Sequence, residues 1–144
     1  MDARDIMIKD VITLDPDLKV EEATDILLKY RIHGAPVVTP TGELVGMVSF
    51  MDLARRAGEE ATVRHVMSAS PVVAAEDTPV DEVARLMLDE MVRRVVIVRG
   101  GKVTGIISAS DVMQLFLNLH EQPRHITERK RRSAAGKAKG EVRR

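Results

Sequence analysis

Cysteine and tryptophan are both absent from this 144-residue sequence. Without cysteine there is no disulfide framework and no thiolate chemistry. Aromatics make up 2% of the chain, namely Tyr30, Phe50 and Phe116. So few rings exclude the stacking platforms on which single-stranded nucleic acid is bound. They also leave the core to Val, Ile, Leu, Met and Ala. No apolar run approaches membrane-spanning length. The opening Met1-Asp2-Ala3-Arg4-Asp5 lacks the basic stretch and apolar run of a signal peptide. The expectation is a cytoplasmic protein with no membrane contact. An excess of one charge is lacking too, with 22 Lys and Arg against 22 Asp and Glu. That balance hides two regimes. From Leu119 onward nine basic residues stand against three acids, so the C-terminal stretch carries +6 and the rest −6.

What the sequence does have is an internal repeat, which is sought first because it fixes the architecture. Gly46-Met47-Val48-Ser49-Phe50-Met51-Asp52-Leu53 and Gly105-Ile106-Ile107-Ser108-Ala109-Ser110-Asp111-Val112 share one form: Gly, two apolar residues, Ser, two residues, Asp, apolar. Sixty residues separate Arg4-Asp5-Ile6-Met7 from Arg64-His65-Val66-Met67. The same offset relates Val20-Glu21-Glu22-Ala23 to Val80-Asp81-Glu82-Val83, and Val37-Val38 to Ile97-Val98. It drops to 59 where Pro40-Thr41-Gly42-Glu43 gives way to Gly100-Gly101-Lys102, a length change that a hairpin turn tolerates.

Each repeat reads as strand, helix, strand, strand, helix. The first strands are Val11–Leu14 and Val72–Ala74, short apolar runs ended by acids and proline. Val20, Ala23, Leu27 and Tyr30 form one apolar helical face, as do Val80, Val83, Met87 and Met91. Ala35–Val38 with Leu44–Val48, and Val95–Val98 with Val103–Ile107, read as hairpins. The first closing helix is expected from Ser49 to near Gly58 and the second from Ser108 to about His120. The second is apolar nearly all round, so it is expected to be buried within the pair or covered by another subunit. Ser133 to Gly140 is small, polar and basic, with nothing to bury.

Two tandem units, each ending in Gly-apolar-apolar-Ser-x-x-Asp-apolar after an apolar hairpin, resemble a pair of CBS domains, the Bateman module. Val66-Met67 leading into a unit, Asp15-Pro16-Asp17 before the first long helix, and Ala35-Pro36-Val37-Val38 add to the likeness. It covers residues 1 to about 120 and implies an α+β fold of two β-α-β-β-α units, packed sheet to sheet with pseudo-two-fold symmetry. The units are expected at residues 1–60 and 61–120, followed by a basic tail at 121–144. The resemblance also implies a homodimer, and a regulator or sensor that binds adenine nucleotides between its halves, requires no cofactor and performs no catalysis.

The repeated stretch bears the chemistry. Ser49 and Ser108 stand where a strand passes into a helix, and a helix N-terminus offers N–H groups and partial positive charge to a phosphate. Asp52 and Asp111, three residues on, are carboxylates able to accept both vicinal hydroxyls of a ribose, the role that the resemblance gives them. Thr13 and Val73 from the first strands, with Pro36 and Val96 from the second, are expected to wall the base. Where the family often carries basic residues that meet phosphates, the second repeat has Arg93-Arg94 and the first has His33-Gly34. The competing reading is that Ser-x-x-Asp is a capping box in which both side chains serve only the helix. Arg93 and Arg94 have an alternative too, as partners of Asp89 and Glu90.

Other constellations are poorer. His33, His65, His120 and His125 have no metal-ligand spacing, and no nucleophile–base pair or Gly-x-Gly-x-x-Gly loop occurs. The sequence thus carries three functional readings: an adenine-nucleotide sensor; a ligand-free scaffold for an unidentified regulated protein; and, ranked below both, a regulator that meets nucleic acid through Arg129-Lys130-Arg131-Arg132.

Overall fold

Two antiparallel hairpins lie at the centre of the computed structural model, which describes residues 1–121. The basic tail therefore lies outside the described residues. In the first hairpin β1 (Gly34–Val38) pairs with β2 (Leu44–Ser49), and in the second β4 (Arg94–Arg99) pairs with β5 (Lys102–Ser108). Helix α2 (Val20–Tyr30) precedes the first hairpin and α5 (Val80–Asp89) the second. Each buries most of the face that periodicity predicts, Val20, Ala23 and Leu27 in α2 and Val80, Val83 and Met87 in α5; Tyr30 is only partly buried, and Met91, beyond the end of α5, is 90% exposed. The closing helices are α3 (Phe50–Arg55) and α6 (Ala109–His120). Helix α3 ends three residues earlier than Gly58 suggested, and Gly58 takes its positive φ of 86° in the turn beyond.

Only the second repeat has its predicted first strand. There β3 (Val73–Ala75) pairs in parallel with β4, and the amide of Val96 donates to the carbonyl of Val72 at 3.0 Å. In the first repeat the expected strand at Val11–Leu14 shrinks to a single bridge between Leu14 and Val37. The equivalent of Val96 there is Pro36, which has no N–H to give. The pairing therefore starts and ends at Leu14, whose amide donates to Pro36 O and whose carbonyl accepts from Val38 N.

Helices α2 and α5 end in the same way without a glycine. Arg31 and Met91 adopt left-handed backbone, φ 55° and 54°, and the next amide reaches back five residues: Ile32 to Leu27 O and Val92 to Met87 O, each 3.0 Å. This is the 6→1 bond of the Schellman C-terminal motif, whose left-handed residue is usually Gly.

The lead-in helices do not pack on their own repeats. Helix α1 (Ala3–Ile6) lies on the second repeat, where Ala3 is fully buried in one core with Val83, Met87, Ile97 and Ile107. Helix α4 (Val63–Val66) lies on the first, where Val63 joins Leu14, Leu27, Val37 and Leu53. The exchange is reciprocal bond by bond. Ala3 N donates to Thr78 O at 2.8 Å and Val63 N to Leu18 O at 2.9 Å; Arg4 N donates to Glu76 O and Arg64 N to Pro16 O, both at 2.9 Å. Ile8 bridges Ile106 as Ser68 bridges Met47. Residue i meeting the equivalent of j while j meets the equivalent of i is the signature of a two-fold relation. The repeats are thus related by a pseudo-two-fold axis, and each core takes its first helical turn from the other repeat.

Each sheet also has a second face. Val95 and Ile97 point into the second core. Val96 belongs to neither core cluster, yet it is only 1% exposed. Alternation along the strand puts Arg94 on the same side as Val96. Here the hairpins meet: Lys102 Nζ donates to Thr41 O at 3.0 Å near the two turns, and Arg94 lies against Gly34 at the other end.

Candidate functional site

Register brings one predicted set together. Arg94 is paired with Ser108, and two residues further along the same strand Val96 is paired with Ile106 on one side and Val73 on the other. Asp111 follows from the first turn of α6. Ser108, Arg94, Val96 and Val73 therefore share one face of the second sheet, and Asp111 is tied to its end through Ser108. The first repeat repeats the arrangement, with Gly34 paired with Ser49, Pro36 with Met47, and Thr13 just before the Leu14 bridge.

Both Ser-x-x-Asp stretches close complete capping boxes. Asp52 N donates to Ser49 Oγ at 3.1 Å, and Ser49 N to Asp52 Oδ2 at 3.0 Å. Asp111 N donates to Ser108 Oγ at 3.2 Å, and Ser108 N to Asp111 Oδ2 at 2.8 Å. The helix N-termini are less open than the sequence suggested. Phe50 N donates to His33 O and Ala109 N to Arg93 O, so the first and third amides of each helix are already taken. The boxes leave each aspartate its second oxygen. Asp52 Oδ1 has Arg55 at 4.0 Å; Asp111 Oδ1 carries no hydrogen bond among the described residues. A carboxylate has about four lone-pair positions. The cap uses one and fixes the group's orientation, so capping a helix and accepting hydroxyls from a ligand are compatible.

The predicted base walls differ in accessibility. Val96 and Pro36 are buried where the repeats meet, whereas Thr13 and Val73 are exposed at the rim. His33 and Arg93 are exposed. Neither Arg93 nor Arg94 pairs with Asp89, Glu90 or any other carboxylate of the described residues. Arg94 is half-buried, and its side chain leaves its own repeat to lie over Gly34. Burial first, and then the charge of Arg93, hold its pKa below the ordinary arginine value. A guanidinium stays protonated at neutral pH all the same. The result is a half-buried cation with no anion beside it. Sequence reading found the arginine pair but not the crossing, for which the only sign was a glycine at the equivalent position.

A cavity of about 200 Å³ lies elsewhere, between the start of α2 and residues 59–62, lined by Lys19, Glu21, Glu59, Glu60 and Thr62 among others. It includes none of the predicted site residues. Among the described residues no three His, Asp or Glu side chains gather as a metal site, and no helix is long and apolar enough to cross a membrane. Helix α6 is not buried within the pair: Met113, Phe116 and Leu119 are more than half exposed.

A two-fold pair of units, each a helix, an antiparallel hairpin and a closing helix that starts at a Ser-x-x-Asp turn, with a full first strand only in the second, defines a tandem-repeat α+β fold. The CBS-domain profile matches residues 3–59 and 63–118, and the chain belongs to the CBS-domain family. Among solved structures it is similar to the CBS domain pair of protein MJ0100, in complex with 5′-methylthioadenosine and S-adenosyl-L-methionine. That likeness has 33% identity and a TM-score of 0.76, over 81% of this chain and 95% of that one. It is also similar to CBSX2 of Arabidopsis thaliana in complex with AMP, with 26% identity and a TM-score of 0.76 over 83% and 98%. Among curated proteins, zinc metalloprotease MJ0392 of Methanocaldococcus jannaschii is 39% identical over 83% of this chain, which spans only 34% of that protein.

Proposed function

We propose that this chain is a regulatory CBS pair that binds adenine nucleotides of the AMP, ADP and ATP class between its repeats and acts as an energy or ligand sensor, without catalysis of its own. The observation that carries this reading is that Ser108, whose cap orients Asp111 with one oxygen spare, is paired in the sheet with Arg94, a half-buried cation without a counter-ion among the described residues. Asp111 suits a ribose diol and Arg94 a phosphate. The adenosine-containing ligands of the MJ0100 pair and of CBSX2 lend support. Sensing requires that ligand favour one arrangement of the repeats over another, and a site built from both repeats provides that difference.

Calorimetric titration of AMP and ATP into the full chain, beside Asp111→Ala and Asp52→Ala, tests this. Each hydrogen bond to a charged group contributes about 1.5–3 kcal/mol. Asp111→Ala is therefore expected to weaken AMP at least tenfold, while loss of the cap lowers stability by about 1 kcal/mol. No binding at millimolar concentration overturns the reading. Loss of stability with unchanged affinity leaves the aspartates as caps only, as in the scaffold alternative.

A homodimer through the exposed side of α6 is the second reading: Met113, Phe116 and Leu119, at i, i+3 and i+6 of that helix, are 58–68% exposed, and apolar side chains gathered on one open helix face mark an interaction surface. Sedimentation at micromolar concentration is expected to show a homodimer that Phe116→Glu dissociates; a wild-type monomer would remove the idea.

A further inference from the structure

Gly34 and Arg94 occupy the same place in their repeats. They are sixty residues apart, each opens the second strand of its unit, and each is paired with the capping serine, Gly34 with Ser49 and Arg94 with Ser108. They also touch each other. A Cβ at Gly34 would stand 3.2 Å from Arg94 Cζ and 3.3 Å from one of its Nη atoms. Equivalent positions in contact lie on the pseudo-two-fold axis. Space at this point is limited, since the same Cβ would also lie 2.8 Å from Val48 O, a backbone atom that cannot move aside alone. Two arginines would not fit. One repeat supplies the guanidinium and the other supplies the space.

The charge is thus placed between the two halves of the molecule. Arg94 springs from the rung that carries Ser108, and its head rests on the rung that carries Ser49. No acid of the described residues neutralises it.

We infer that Arg94 is a single phosphate-binding cation shared by the two proposed ligand clefts, one at Ser49–Asp52 and one at Ser108–Asp111, so that the pair takes one phosphate-bearing nucleotide at high affinity and admits a second much more weakly. This rests on the proposed nucleotide-binding reading and adds regulation to it. Two phosphates drawn to one guanidinium repel each other, and between partly buried charges that repulsion is not screened away. An uncharged adenosine has no such conflict and can fill the second cleft beside a nucleotide. The coupling between clefts is therefore negative for anions and absent for neutral nucleosides.

Isothermal titration of the full chain with AMP and, separately, with adenosine tests this. Adenosine is expected to fill two clefts. AMP is expected to bind in two steps with affinities at least tenfold apart. Arg94→Ala should weaken the first AMP step at least tenfold, bring the two steps together and leave adenosine unchanged. Arg94→Lys, which keeps the charge, should retain the separation. If Arg94→Ala does not fold, Arg94→Gln gives the same comparison. Equal AMP affinity at both clefts of the wild type, a gap that survives removal of the charge, or adenosine confined to one cleft each overturns the inference while leaving nucleotide binding intact. Binding of neither ligand overturns the nucleotide reading itself, and this inference with it.

Discussion

Deleting residues 1–8 is expected to destabilise the second repeat, not the first. The segment precedes the first repeat in sequence, yet its contacts lie with residues 72–112. It supplies the buried Ala3 and the partly buried Ile6 and Met7 to the second core. It also makes five backbone hydrogen bonds there, involving Thr78, Glu76, Val80 and, in both directions, Ile106. Half-burying two large apolar side chains contributes about 2–3 kcal/mol, and the hydrogen bonds about as much again. A domain has about 5–15 kcal/mol in total. The melting temperature should fall by about 10 °C or more, at about 3 °C or more per kcal/mol for a domain of this size. Amide exchange should accelerate first at Ile97 and Ile107. A midpoint within 2–3 °C of the intact chain, or faster exchange confined to Val37 and Val48, would contradict the exchanged packing.

Gly46→Ala is expected to be the most damaging single methyl added to the chain. A Cβ there would stand 2.7 Å from the carbonyl oxygen of Ser68 and 2.5 Å from the sulfur of Met67. Methionine can swing away. The carbonyl cannot, because Ser68 and Met47 are bonded to each other in both directions, 2.8 and 2.9 Å. Relief requires the two segments to part, breaking the junction through which α4 reaches the first repeat. Overpacking typically costs about 1–3 kcal/mol, and the upper end or beyond is expected here. The three atoms nearest a Cβ in Gly105→Ala all belong to the side chain of Met7, whose sulfur can move aside but whose own Cβ, at 2.9 Å, cannot swing away. Gly105→Ala should cost less, and Met7→Ala should partly rescue it. Chemical denaturation of the three variants checks the order; Gly105→Ala as the more harmful glycine change would contradict it.

Much of this was legible in the sequence because it is local. The sixty-residue repeat, both apolar helical faces, the hairpins and the Ser-x-x-Asp turns follow from periodicity and from residue types at fixed offsets. What was not legible arises where distant segments meet. The offset aligns Met7 with Met67, but nothing in it says that Met7 covers Gly105 and Met67 covers Gly46. Translation along a sequence does not distinguish repeats standing side by side from repeats that exchange their ends. The missing first strand was written in Pro36, whose lack of an N–H removes the bond that Val96 makes to Val72. The αL ends at Arg31 and Met91 lacked their usual glycine, so tertiary packing settled a matter that local propensity left open. The site divides in the same way. Ser108 and Asp111 could be read as a cap or as ligand groups. The cap is made, and the orientation it gives Asp111 leaves an oxygen for the second role.

That second role is the central claim, and the ligand's own hydroxyls test it most directly. AMP and its 2′,3′-dideoxy analogue have the same base and phosphate and differ only in the diol that Asp111 is proposed to accept. Calorimetric titration of both into the full chain is expected to show AMP binding at least tenfold tighter, the loss that one to two charge-assisted hydrogen bonds entail. In Asp111→Ala that preference should vanish. Equal affinity for the two nucleotides in the wild type, or no binding of either at millimolar concentration, would contradict the account.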